Sequence, residues 1–286
     1  MLRNRKGVSA MAQTLTARGA NPVASLALAV GLVAAGAALA KDQVAENKPV
    51  VDTRADFLLR AMSDYLSGAE SFTVRAKINF DDVLPSGQKI QLGAVQDIAV
   101  RRPDRVYTEY DGDAGRKRLW YDGKAITMYD AAADVYATAA MPPKIDATLD
   151  QLMKKYDFNP PLSDLLYSDP YAILKRYADF GAYLGEHVVD GTRCHHLAFV
   201  APNVDWQIWI EDGSEVVPCK MVITYKNLPG APQFEATFSD WDFGARLIDA
   251  QFAPKVPPGT AKIDFLPAQF GPASAKMGAA PKEEKR

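Results

Sequence analysis

Three histidines and two cysteines are the side chains whose types admit metal or thiol chemistry: His187, His195, His196, Cys194 and Cys219. Cys194-His195-His196 has the density of a metal site. Neighbours on a strand point to opposite faces, however, so His195 and His196 cannot share one ion without a bulge. Cys194 and His196 share a face but have no third ligand at a defined spacing, and closed sites use four. No metal and no cofactor are expected. Carboxylates come in pairs, at Asp81-Asp82, Asp111 with Asp113, and Glu211-Asp212. Each pair falls in a turn signal, where Asp bonds local backbone; a glycosidase pair must instead face across a cleft. No serine stands in a G-x-S-x-G elbow. No catalytic residue is assigned, and the expectation is that the protein is not an enzyme. The alternative is a hydrolase whose Ser, His and Asp or Glu meet only in the fold.

The elements that position these residues begin after an export signal. Residues 1–22 carry Arg3, Arg5, Lys6 and Arg18 and no Asp or Glu, and an uncharged Ala-, Leu- and Val-rich run from Val23 ends at Ala38-Leu39-Ala40. That order matches a Sec signal peptide cut after Ala40, with Met1 or Met11 as the start. No cysteine follows the cut to take a lipid, so the expected location is the periplasm, without a lipid anchor. The mature 246 residues would hold 29 basic and 35 acidic side chains, which disfavours nucleic acid and anionic headgroups as partners. The 41–51 stretch reads as flexible, and 267–286 as a disordered tail rich in Pro, Ala, Gly and charge.

Between them, Phe57, Leu58, Ala61, Met62, Tyr65 and Leu66 recur at helical spacing, with Asp52 or Thr53 as cap and Gly68 as stop. The period then becomes two. Short strands follow from Val74, closed by Pro85-Ser86-Gly87, Asp111-Gly112-Asp113 and Asp122-Gly123-Lys124, which describes an antiparallel meander. A helical block at about 145–177 interrupts it, with Asp146 as a cap and Asp169-Pro170 opening its last helix. A second meander starts near Tyr183. Flanking Val200 and Asp205 around one loop pairs Trp206 with Phe199, Ile208 with Leu197 and Ile210 with His195. Flanking Glu211 and Val216 sets Trp206 opposite Met221, and a turn at Pro229-Gly230 sets Tyr225 opposite Phe234.

One face then collects Leu197, Phe199, Trp206, Ile208, Ile210, Met221, Phe234, Ala236 and Phe238. The other carries Gln207, Glu211, Thr224, Lys226, Glu235 and Thr237. This register puts Cys194 and Cys219 on alternate strands and opposite faces, beyond the roughly 7 Å a disulfide spans, so no disulfide is expected. The aromatic face, together with Trp120, Trp209 and Trp241, is either an ordinary packed core or the wall of an apolar cavity lidded by the inserted helices. At ~0.8 kcal/mol per methylene, a 14-methylene chain in such a cavity gains about 11 kcal/mol gross. Association and ordering offset much of that.

Arg102-Pro103-Asp104-Arg105-Val106 and Trp120-Tyr121-Asp122-Gly123-Lys124-Ala125-Ile126-Thr127-Met128-Tyr129 resemble the strand motifs of the LolA/LolB lipoprotein-carrier superfamily. Pro161-Leu162-Ser163-Asp164-Leu165-Leu166, Cys194 to Phe199, Asp205 to Gly213 and Phe238-Ser239-Asp240-Trp241 resemble a family of predicted periplasmic proteins of unknown function within it. The resemblance spans about Asp52 to Phe265. It implies an α+β fold, a strongly curved, unclosed antiparallel β half-barrel over residues 52–266 with helices covering its mouth. It also implies a hydrophobic small molecule, lipid or acylated protein as partner, and an arginine latching the lid, a role that falls on Arg105. The expected cavity residues are Leu197, Phe199, Trp206, Ile208, Ile210, Met221, Phe234 and Phe238. A sensor that binds an envelope protein partner through the same sheet is the rival function.

Overall fold

Runs of alternating buried and exposed residues recur along the chain, and the computed structural model, which describes residues 50–265, joins them into one open sheet of 13 strands. The expected signal peptide, the 41–49 segment and the expected tail lie outside the described residues. A two-residue strand, β1 (Val50–Val51), precedes helix α1 (Thr53–Gly68). The first meander is β2 (Ser71–Val83), β3 (Lys89–Arg101), β4 (Arg105–Gly112), β5 (Gly115–Tyr121), β6 (Ala125–Asp130) and β7 (Val135–Ala140). The helical block holds α2 (Ile145–Tyr156), a 3-10 turn (Ser163–Leu165) and α3 (Pro170–Lys175). The second meander is β8 (Phe180–Val189), β9 (Thr192–Val200), β10 (Val204–Glu211), β11 (Pro218–Tyr225) and β12 (Gln233–Asp242). A short α4 (Asp249–Phe252) and β13 (Ala261–Lys262) end the described chain.

Strand order is β1-β8-β9-β10-β11-β12-β2-β3-β4-β5-β6-β7-β13. The end of the second meander returns to the start of the first, with Phe234 opposite Phe80. Only the outermost pairings, β1 with β8 and β13 with β7, are parallel. Two-residue edge strands leave little unpaired backbone to recruit another chain. Val50 and Val51, expected to be flexible, are therefore ordered as one of these edges. The fold is α+β, an unclosed, curved antiparallel half-barrel.

Local chemistry explains the elements. Asp52 caps α1 by accepting from the amides of Arg54 and Ala55 at 2.9 and 3.0 Å. Leu59, Met62 and Leu66 on one stripe of that helix are fully buried. At the β5–β6 hairpin, Asp122 accepts from the amides of Lys124 and Ala125, and Gly123 takes a φ of +85°. A Cβ there would also stand 2.5 Å from the Arg105 guanidinium, which would have to shift, so glycine is favoured. Asp146 does not cap α2: Lys144 holds that position, and Asp146 instead accepts from the amide and hydroxyl of Ser168.

The β9–β10 register is the expected one, from Trp206 opposite Phe199 to Ile210 opposite His195. Two others are corrected. Trp206 faces Ile223 and Ile208 faces Met221, and Phe234 faces Ile223 and not Tyr225. Both slips are of two residues, which preserves the face of every side chain. The disulfide expectation is overturned: Cys194 and Cys219 are bonded, with Cα atoms 6.9 Å apart. The reason is a bulge. Lys220 pairs with Trp209 and Pro218 with Ile210, so Cys219 is the extra residue with no partner on β10. That insertion breaks the alternation that would have turned its side chain away from Cys194.

Candidate functional site

All eight apolar residues expected to line a cavity lie on the inner face and are buried. Leu197, Ile208 and Ile210 are wholly inaccessible, and Phe199 stacks on Trp206 with ring centroids 4.0 Å apart. They share one continuous core with the α1 stripe and with Leu165, Leu166 and Leu174 of the helical block. Over β9 and β10, then, the hollow is filled by α1 and the helical block, apart from a space of about 60 Å³ between Val204, Trp206 and Leu174. Phe234 and Met221 reach remaining space: Met221 lines a crevice of about 20 Å³ beside the 3-10 turn, and Phe234 borders both that crevice and a second pocket.

That second pocket is the apolar one. It lies between the inner face of β2–β6 and the connection that follows α2, and its volume is about 60 Å³. Ile78, Phe80, Leu119, Met128 and Phe234 form its sheet side, and Phe158, Pro160 and Pro161 its lid side. Asp157, at φ +49°, ends α2 in the left-handed region and turns the chain so that Phe158 is buried over the sheet. At the rim Lys117 is ion-paired to Asp130 and Arg118 to Glu109. Gln96 is the polar residue that sequence reasoning missed. It stands at an inward position of β3 between Ala94 and Ile98, and a polar side chain at an apolar parity was the signal.

The lid is fastened by few polar contacts. Arg102 donates to the carbonyls of Leu166, at 2.9 Å, and Leu66, at 3.4 Å, joining the helical block to the end of α1. Burial lowers the pKa of this guanidinium below the usual arginine range. Arg105, the expected latch, pairs with the neighbouring Asp104 at 2.9 Å. The two arginines sit three residues apart in one motif, and the hydrogen bonds to the lid come from the first. Lys175 and Tyr171 of α3 both bond Asp56 of α1. Asp164, in the 3-10 turn, is buried, and desolvation pushes its carboxyl up to about 6.

The family described as "Predicted periplasmic protein (DUF2092)" matches residues 55–266. The chain belongs to this family. No curated protein matches it. Solved structures similar to it include the lipoprotein LppX of Mycobacterium tuberculosis, 14% identical over 68% of this chain and 98% of LppX, with a TM-score of 0.44. LprF from Mycobacterium bovis is 13% identical over 73% of this chain and 99% of its own, with a TM-score of 0.38. NE2245 from Nitrosomonas europaea, a LolA superfamily protein, is 10% identical over 70% and 97%, with a TM-score of 0.34.

In this DUF2092 protein the histidines fall on hydrogen bonds of structural type. His196 shares a bond of 3.0 Å with His187 and another of 3.0 Å with Gln207, and it stacks on Trp209 at 3.9 Å. Burial lowers its pKa and favours the neutral ring. His195 approaches the hydroxyl of Tyr183 at 3.2 Å and Asp212 at 3.4 Å. None of these partners is a serine, and among the described residues no three ligating side chains gather for a metal. Ser86 and Lys89 have an S-x-x-K spacing, but they shape the β2–β3 hairpin: Ser86 accepts from the Gln88 amide, and Lys89 pairs with Asp81. No helix among the described residues is long and apolar enough to cross a membrane.

Proposed function

We propose that this protein binds and carries a hydrophobic ligand, a lipid or an acyl chain, in the periplasm after export and cleavage at Ala40. The observation that carries this reading is the apolar pocket between Ile78, Phe80, Leu119 and Met128 of the sheet and Phe158 of the lid. Its about 60 Å³ holds a few heavy atoms, since one water takes roughly 30 Å³ of liquid volume. A long chain therefore enters only as the Phe158–Pro161 connection swings away from the sheet. That motion exposes apolar wall on both sides, and the ligand restores its burial. Each methylene taken from water contributes ~0.8 kcal/mol, which offsets the cost of ordering the chain. Proteins of the LolA superfamily and mycobacterial lipoproteins adopt similar folds, which fits the reading without carrying it.

Lipid extraction and mass spectrometry on protein purified from its native envelope test the proposal. One co-purifying lipid class near equimolar amount is the expected result. Protein that is lipid-free, and that also fails to bind a fluorescent fatty-acid probe, would overturn it.

A further inference from the structure

Gln96 is 4% exposed and lines the apolar pocket, and its carboxamide oxygen is buried with no hydrogen-bond donor from the protein. Its cross-strand neighbours are Ala76 on β2 and Tyr110 on β4. Tyr110 and Thr108 bring hydroxyls to the same lining, yet neither reaches that oxygen. Buried acceptors are nearly always paired, because a desolvated carbonyl without a donor is costly to the fold. This oxygen has no accessible surface while the lid is closed, so it gains a partner from a ligand as the lid moves and the carboxamide turns toward the pocket. An apolar residue of the same volume would have packed this position better for a purely hydrocarbon guest.

Resting on the hydrophobic-ligand reading above, we infer that the pocket selects aliphatic ligands bearing a hydrogen-bond donor, an amide N–H or a hydroxyl, that pairs with Gln96 Oε1. The donor group meets the carboxamide once the lid is displaced, and the aliphatic remainder extends along the apolar wall. A ligand whose polar end only accepts, such as an ester, leaves the Gln96 oxygen unpaired and is discriminated against. Recognition of this kind follows from the unpaired acceptor more than from any added attraction.

Competition against a fluorescent fatty-acid probe, with dodecanamide, dodecanol and methyl dodecanoate as competitors, separates the possibilities. The ester is the least water-soluble of the three, so partitioning alone ranks it first. The inferred pairing ranks the amide or the alcohol about tenfold ahead of the ester, and which of them leads shows whether N–H or O–H is preferred. Gln96→Leu should abolish that preference while still binding the ester, and Gln96→Ala, checked for an intact thermal transition, provides a second variant. An ester that competes as well as or better than both donors in the wild type, or a preference that survives in both variants, overturns the inference and leaves the hydrophobic-ligand reading standing. Failure of all three competitors and of the probe itself to bind overturns both.

Discussion

The two halves of the inner face differ in what covers them. Over β8–β10 the cover is α1, a sixteen-residue helix whose apolar stripe is fully buried, with the helical block beside it over Val204 and Trp206. Beneath it Phe199 and Trp206 stack, and the Cys194–Cys219 bond closes that side of the sheet. By its sequence separation of 25 residues that crosslink contributes about 3.5 kcal/mol. Over β2–β6 the cover is the irregular connection Phe158–Pro161, and beneath it lie the unpaired Gln96 oxygen and the apolar pocket. A helix satisfies its own backbone and can be packed tightly; an irregular connection has fewer internal bonds to lose when it moves. The first half is scaffold, and the second is where the molecule can yield.

Matched truncations break or sharpen that contrast. Phe199 and Phe158 are both almost wholly buried, at 1% and 2% exposure. Phe199→Ala should cost about 4 kcal/mol, because the scaffold half cannot collapse around the space. Phe158→Ala should cost about 3 kcal/mol, near the lower end of the range, since the connection can settle onto the sheet. Urea unfolding gives both values. Probe titration should show tighter binding for Phe158→Ala, whose connection keeps less apolar contact with the sheet for a ligand to displace, and no gain for Phe199→Ala. Equal gains in the two variants would erase the distinction between the halves.

The same contrast governs what could be read from the chain alone. The faces of β9–β12 were legible because burial with period two is written residue by residue, and a slip of two leaves it unchanged. The hairpins at Asp122-Gly123 and the opening of α3 at Asp169-Pro170 were legible because the turn chemistry is local. The bulge at Cys219 was not, since it depends on how six connecting residues close between β10 and β11. The disulfide was lost with it. Which end of the trough stays open was also hidden: that depends on whether α1 or the 158–161 connection lands over a given strand, a long-range choice. Likewise, the strap from Phe243 to β13, which lays Leu247 and Phe252 over Ala99 on the outer face, has too few apolar residues to announce itself.

Asp164 supplies a test in the lid itself. Its carboxyl, raised from 3.8 to about 6 by burial, is held in its neutral form more firmly when folded than when unfolded. The favourable contribution is complete below about pH 4 and is lost as pH rises through about 6, leaving a buried charge at neutral pH. Asp164→Asn should therefore stabilise the protein at pH 7 by at most about 3 kcal/mol, and by almost nothing near pH 4. Asp56, Glu109 and Asp130, whose pKa values are lowered, work in the opposite direction, losing stability as pH falls. The difference between variant and wild type cancels them. A variant that is less stable at both pH values would mean the carboxylate is held by partners that favour its charge.

Arg102 gives the smallest effect and the most local one. Replacing it by Met keeps the aliphatic stem and removes the donors to Leu166 and Leu66. Hydrogen bonds from a charged donor contribute about 1.5–3 kcal/mol, and the cost of burying the guanidinium, visible in its lowered pKa, offsets part of that. A net loss of about 1 kcal/mol is expected, concentrated in the lid. Hydrogen exchange should accelerate at 162–167 and at the end of α1 while β9 and β10 stay protected. Arg105→Met is the control, because that guanidinium meets Asp104 and not the lid. If Arg105→Met loosens 162–167 more than Arg102→Met does, the latch lies where the family motif suggests, and the lid's attachment to α1 through Arg102 is incidental.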